Sequence, residues 1–234
     1  MKTETQIEQQ SPNLARRSFL RYAGAGVAGL GLMGVAASCK KQETGIYPAL
    51  QGTDIGMQGD VAILNYAYAL EQLEAAFYIQ LAATPFGGIT TAETSLLTDI
   101  RDHEVAHREF FKAALGGNAI KALTPDFSSI DFSNRAKVLA TAQAFEDLGV
   151  AAYNGAGYLI KTPAYLTLAG KIVSVEARHA AYIRNLVSPN SFADSTILDA
   201  NGLDKQKGIG EVLATANNFL KTKVYATSYG YGEI

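Results

Sequence analysis

The sequence predicts an all-α protein, a four-helix bundle with one long crossover followed by a short C-terminal helix. Three observations carry the prediction. Four segments repeat apolar residues at spacings of three and four. No stretch alternates convincingly with a period of two, as a half-exposed strand would. Glycine, proline and capping-type polar residues fall at the ends of the periodic segments rather than inside most of them.

The first 39 residues read as a targeting segment. Residues 1–15 are polar; Arg16-Arg17-Ser18-Phe19-Leu20-Arg21 then leads into a glycine- and alanine-rich apolar run ending at Val35-Ala36-Ala37-Ser38-Cys39. This resembles a twin-arginine export signal with a lipoprotein cleavage site, the basic residues staying cytoplasmic while a mildly apolar stretch enters the membrane. The run over 22–38 holds five glycines and is short for a permanent span. The expectation is therefore an exported protein of the periplasm or cell envelope, anchored to a membrane by a lipid on Cys39. Residues 40–58, polar and glycine-containing, are expected to form a flexible tether.

The first helix is expected from Asp60 to Ala82, a stretch without glycine or proline. Thr90 and Glu93 form a capping-box pattern that opens a second helix, which Gly116-Gly117 ends. A third starts after Ser133 and runs to Ile160, with Gly149, Gly155 and Gly157 permitting close packing or a kink. Thr162 and Pro163 suit the N-cap and first position of a fourth, and Pro189 lies beyond its end.

Loop length sets the topology. The short links between helices one and two and between three and four allow antiparallel hairpins, while residues 117–132 are long enough to run along the bundle and return. The bundle is thus assigned to 59–187. Residues 188–234 form a C-terminal extension with an irregular start and a short helix over 209–221, through Val212, Leu213, Ala216 and Leu220.

Composition narrows the function. With 48% hydrophobic and 18% charged residues and a net charge of −2, there is no basic patch for nucleic acid and no acidic tail. The single cysteine, Cys39, excludes a disulfide framework or a thiolate metal cluster in the mature part. Any metal must be held by oxygen and nitrogen.

Each of the four helices carries a glutamate on the stripe that should be buried. On helix two the stripe is Leu97, Ile100, Glu104, His107, Phe111, Ala114, and on helix four Ala169, Ile172, Glu176, His179, Ile183, Leu186. They match position for position, and each E-x-x-H pair projects a carboxylate and an imidazole from one side of its helix. Helix one contributes Leu64, Ala67, Glu71, Glu74, Tyr78, Leu81, and helix three Leu139, Ala142, Glu146, Val150, Tyr153, Gly157. The intervals of 75 residues from Glu71 to Glu146 and 72 from Glu104 to Glu176 mark two related hairpins. Glu74 reads either as an extra or alternate ligand beside Glu71 or as a glutamate at the solvated edge of its helix. Tyr78 and Tyr153 read either as hydrogen-bond donors to the glutamates or electron relays, or as plain core. His103, about 100° round the helix from Glu104, and Asp147 are expected to be exposed.

These residues resemble the ferritin-like di-metal carboxylate proteins, especially exported ferritin-like domain proteins related to rubrerythrin and bacterioferritin. The resemblance rests on Ile63–Ala67, Glu71–Ala75, Phe145–Gly149 and both E-x-x-H motifs, and covers 60–187. It implies a ferritin-like four-helix bundle in which Glu71 and Glu146 are terminal ligands, Glu104 and Glu176 bridge, and His107 and His179 each complete one of two divalent metal ions. Iron is the expected metal, manganese the alternative, because oxygen-rich two-nitrogen coordination suits both. Two such ions carry the charge that four buried carboxylates need.

The implied chemistry is reaction with oxygen or peroxide, of ferroxidase, peroxidase or catalase-like kind. With no rubredoxin-type cysteines, any electron donor must be external. Two other readings stand beside it: a non-catalytic envelope protein of stress or desiccation that metal merely staples, and iron storage, against which the anchor, tether and extension argue. Homo-oligomerisation is left open.

Overall fold

The computed structural model of the protein describes residues 52–232. The export signal, Cys39 and the tether up to residue 51 lie outside the described residues.

The bundle consists of α1 (Asp60–Ala83), α2 (Thr91–Leu115), α3 (Arg135–Ala156) and α4 (Pro163–Val187). α1 packs most extensively on α2, and α3 on α4, so the two hairpins expected from loop length are present. From Ala62 to Ala75 every residue of α1 is buried. A helix buried on all sides must be covered on all sides, and here the crossover supplies the extra cover. It is pinned by two buried amides of α1. Asn65 accepts from the Ile120 amide at 2.9 Å and donates to the Asn118 carbonyl at 3.0 Å, and Gln72 accepts from the Leu123 amide at 2.8 Å.

The helix ends follow local chemistry. Thr90 Oγ1 accepts from the Glu93 amide at 3.1 Å and Glu93 Oε2 accepts from the Thr90 amide at 3.0 Å, closing the capping box. Gly116, at φ 53, ends α2 in a conformation that disfavours a side chain. Asn134 caps α3 by accepting from the Lys137 amide at 3.1 Å. Thr162 does stand at the N-cap of α4 with Pro163 in the first turn, but its side chain makes no capping bond. Asp60, opening α1, accepts instead from the Lys161 and Thr162 amides at 2.6 and 2.9 Å. α3 finishes at Ala156 and tightens into a 3-10 turn over Gly157–Leu159, earlier than the expected Ile160.

Beyond the bundle, α5 (Ile209–Ala216) lies on α3 and α1 and runs into a 3-10 turn over Asn217–Phe219. Two short strands, β1 (Gly52–Asp54) and β2 (Lys223–Tyr225), then pair in parallel, Gly52 opposite Lys223 and Asp54 opposite Tyr225. This corrects the reading of residues 52–58 as part of a free tether. Ile55 is 1% exposed and Gln58 donates to the Ser228 carbonyl at 2.5 Å. Strands of three residues are too short to betray themselves by alternation. No described helix is long and apolar enough to cross a membrane.

Two α3 glycines serve close approach. A Cβ at Gly155 would stand 1.8 Å from the Lys207 carbonyl oxygen, where the extension crosses the helix and the Lys207 amide bonds the Ala151 carbonyl at 3.0 Å. A Cβ at Gly149 would stand 2.9 Å from Glu74 Oε1.

Candidate metal centre

The middle of each bundle helix sends one glutamate into the core, and Glu71, Glu104, Glu146 and Glu176 are all 0% exposed. Around them the side chains form two overlapping groups, Glu71–Glu104–His107–Glu176 and Glu104–Glu146–Glu176–His179. Within each group one ligand atom per residue lies within 4.8 Å of the others. Glu104 and Glu176 belong to both. The arrangement is a pseudo-twofold that follows the internal repeat. His107 Nδ1 lies 2.8 Å from Glu176 Oε1 and 3.5 Å from Glu71 Oε2; His179 Nδ1 lies 2.8 Å from Glu104 Oε1 and 3.5 Å from Glu146 Oε2.

The tyrosines cross the bundle. Tyr78 of α1 donates to Glu146 Oε1 of α3 at 2.5 Å, and Tyr153 of α3 donates to Glu71 Oε1 of α1. Each bond occupies one oxygen of its carboxylate and leaves the other facing the cluster. Burial, with the glutamate charge beside each hydroxyl, pushes both phenols well above their ordinary value, so both stay protonated donors.

The inward atoms face only one another. Glu71 Oε2, Glu146 Oε2, both oxygens of Glu104 and of Glu176, and Nδ1 of His107 and of His179 are buried without a hydrogen-bond partner, despite their mutual approach. Orphaned buried polar atoms are rare and costly. Six oxygens and two nitrogens converging around two points form the donor set that a pair of divalent ions requires. The residues therefore fit the group.

Electrostatics shows how the cluster stands without such ions. Burial works against charge on the imidazoles, but the carboxylates around them prevail and push His107 and His179 up to about 12. Burial raises Glu71, helped by the charge on Glu176, and takes Glu146 up to about 8. Glu104 goes the other way: burial opposes its charge, yet the two histidines hold it down at about 2. Divalent ions would supply the positive charge that the raised imidazoles otherwise bring to the cluster.

Glu74, one turn along α1 from Glu71, does not lie at a solvated edge. It is 4% exposed and rests on Gly149. Burial, then the charges of Glu104, Glu176, Glu71 and Glu146, raise its carboxyl well above the usual range. The small residue at 149, in register with Glu74 in the repeat, was the signal for this packing.

Asp147, expected to be solvated, accepts instead from Arg184 Nε at 2.9 Å, and Arg184 is itself 4% exposed and reaches Thr196 Oγ1 at 2.6 Å. This anchors the start of the extension to both helices of the second hairpin. His103 is exposed as expected. Its contact across the bundle is not announced by its position on the helix: its Nδ1 lies 2.9 Å from His179 Nε2, with the rings stacked at 10° and centroids 5.2 Å apart.

The sequence model of the family described as ferritin-like domain matches residues 59–189, more than half of the chain. A comparison with the curated proteins finds no match.

Proposed function

The chain belongs to the ferritin-like domain family, and from that premise we propose that it holds two divalent metal ions, iron before manganese, for redox chemistry with oxygen or peroxide in the cell envelope. The observation that carries the reading is the pair of overlapping ligand groups sharing Glu104 and Glu176. Glu71 and His107 would complete one position, and Glu146 and His179 the other. Bound iron or manganese would supply the one-electron steps of the reaction with oxygen or peroxide. The chain's own part is to place the donors, to hold Glu71 and Glu146 through Tyr153 and Tyr78, and to keep the four carboxylates away from water.

Reducing equivalents would come from outside, since Cys39 is the only cysteine. The segment from Arg16 to Cys39 supports export and a membrane anchor, and mass spectrometry of the mature N-terminus would read the lipid directly. The central test is elemental analysis of protein purified from its native compartment, with assays of ferrous oxidation and peroxide consumption. Two metals per chain and turnover above that of free metal are expected; metal content without turnover sinks the redox part.

Complete burial of the four glutamates favours a second reading, in which metal staples the bundle and does no chemistry. On that reading chelation lowers the melting temperature while the assays stay silent.

A further inference from the structure

The two metal positions mirror each other in their carboxylates, tyrosines and histidines, but not one step further out. In the repeat, the residue before Glu104 is His103 and the residue before Glu176 is Val175. His103 reaches across from α2 and stacks on His179 of α4, Nδ1 to Nε2 at 2.9 Å. Val175 carries neither donor nor acceptor, and among the described residues His107 has no hydrogen-bond partner at Nε2. The histidines also differ in cover, His179 being 5% and His107 14% exposed.

Resting on the reading of the centre as a di-metal site, we infer that His103 is a positioning residue that makes the two positions unequal, so that the one completed by His179 binds its ion first and more tightly. The reasoning is one of tautomer and orientation. His179 turns Nδ1 to the carboxylates. To ligate through Nδ1 the neutral ring must carry its proton on Nε2, and His103 Nδ1 stands where that proton needs an acceptor. The bond fixes the tautomer and, with the stack, the ring plane, so less freedom is lost when the ion arrives. His107 must settle its tautomer and orientation without such a partner. Outer partners of metal-bound histidines are worth about 10- to 100-fold in metal affinity.

The test is a titration of the full-length chain, freed of metal, with cobalt(II) alone, followed by visible absorption. Two separable steps are expected, the first at least about tenfold tighter. His103→Ala should weaken the first step by about 10- to 100-fold and merge it with the second, while His103→Asn, which keeps an acceptor near the same place, should recover part of the loss. Val175→His, which offers His107 the missing partner, should tighten the second step. Two equal steps in the unaltered chain overturn the inference, as do a first step untouched by His103→Ala or an equal weakening of both. Should His103→Ala fail to fold, the asparagine and Val175→His variants decide by the same criteria. If the unaltered chain binds no cobalt, it is the di-metal reading that fails; if it binds two ions and the variants behave alike, only the role of His103 fails.

Discussion

Tyr78 on α1 donates its hydroxyl hydrogen to Glu146 on α3 at 2.5 Å, so the buried glutamate of one hairpin is held by a side chain of the other. Tyr153 and Glu71 repeat the relation in reverse. Tyr78→Phe removes a hydrogen bond to a buried carboxylate, expected to cost about 1.5–3 kcal/mol of stability and about tenfold in metal affinity. Urea unfolding with and without metal reads both. Because the relation is mirrored, Tyr153→Phe should lose a similar amount; a loss confined to one variant would show that the symmetry is only geometric.

Sharing makes the glutamates unequal. Glu104 takes part in both ligand groups and Glu71 in one. Glu104→Ala is expected to abolish binding at both positions, while Glu71→Ala keeps one ion per chain. Elemental analysis after gel filtration distinguishes the two, and identical stoichiometry in both variants would contradict shared coordination.

Glu93 provides a pH-dependent contribution away from the centre. The Thr90 amide, against a smaller opposing effect of burial, and then Arg135 hold its carboxyl below the usual value of 4.5. A folded value below the unfolded one gives stability that is present above about 4.5 and is lost as pH falls through the depressed value. Melting temperature should therefore drop on acidification below that point. In Glu93→Gln this part of the slope should vanish, and the neutral-pH melting temperature should fall, because Arg135 loses a charged acceptor at 2.6 Å.

Gly155→Ala would drive a methyl group into the Lys207 carbonyl, and backbone cannot move aside as a flexible side chain can. Overpacking of this kind costs about 1–3 kcal/mol. The expected signature is faster proteolysis within residues 188–208 together with unchanged metal stoichiometry. A variant as protease-resistant as the parent would mean that the extension is free to shift on α3.

The parts legible in the sequence are those whose determinants sit close together along the chain. Thr90 with Glu93, Gly116 and Pro163 declare helix ends within a few residues, and the boundaries follow them. The glutamates and histidines were legible because E-x-x-H spacing and the repeat point them into one core. What escaped depends on residues far apart. The β1–β2 pair joins two three-residue strands whose partners no local pattern names. Glu74 reads either as an alternate ligand or as an edge residue until α3 presents Gly149 against it, and Asp147 as solvated until Arg184 arrives with the extension. His103, exposed on α2 beside the buried Glu104, meets the histidine of α4, a helix that begins about sixty residues further along the chain.

The pairing of β1 with β2 also bears on the order in which the molecule assembles. Gln58 and Ser228, bonded beside the strands, are 170 residues apart, while each hairpin closes across a link of a few residues. Closing a long loop is entropically costly before anything rewards it. The hairpins should therefore form early and the strands last, as a latch on a bundle already built. Hydrogen exchange would then find the amides of β1 and β2 opening without the helices, and a chain cut after Val187 would lose the latch while retaining every glutamate and histidine of the centre.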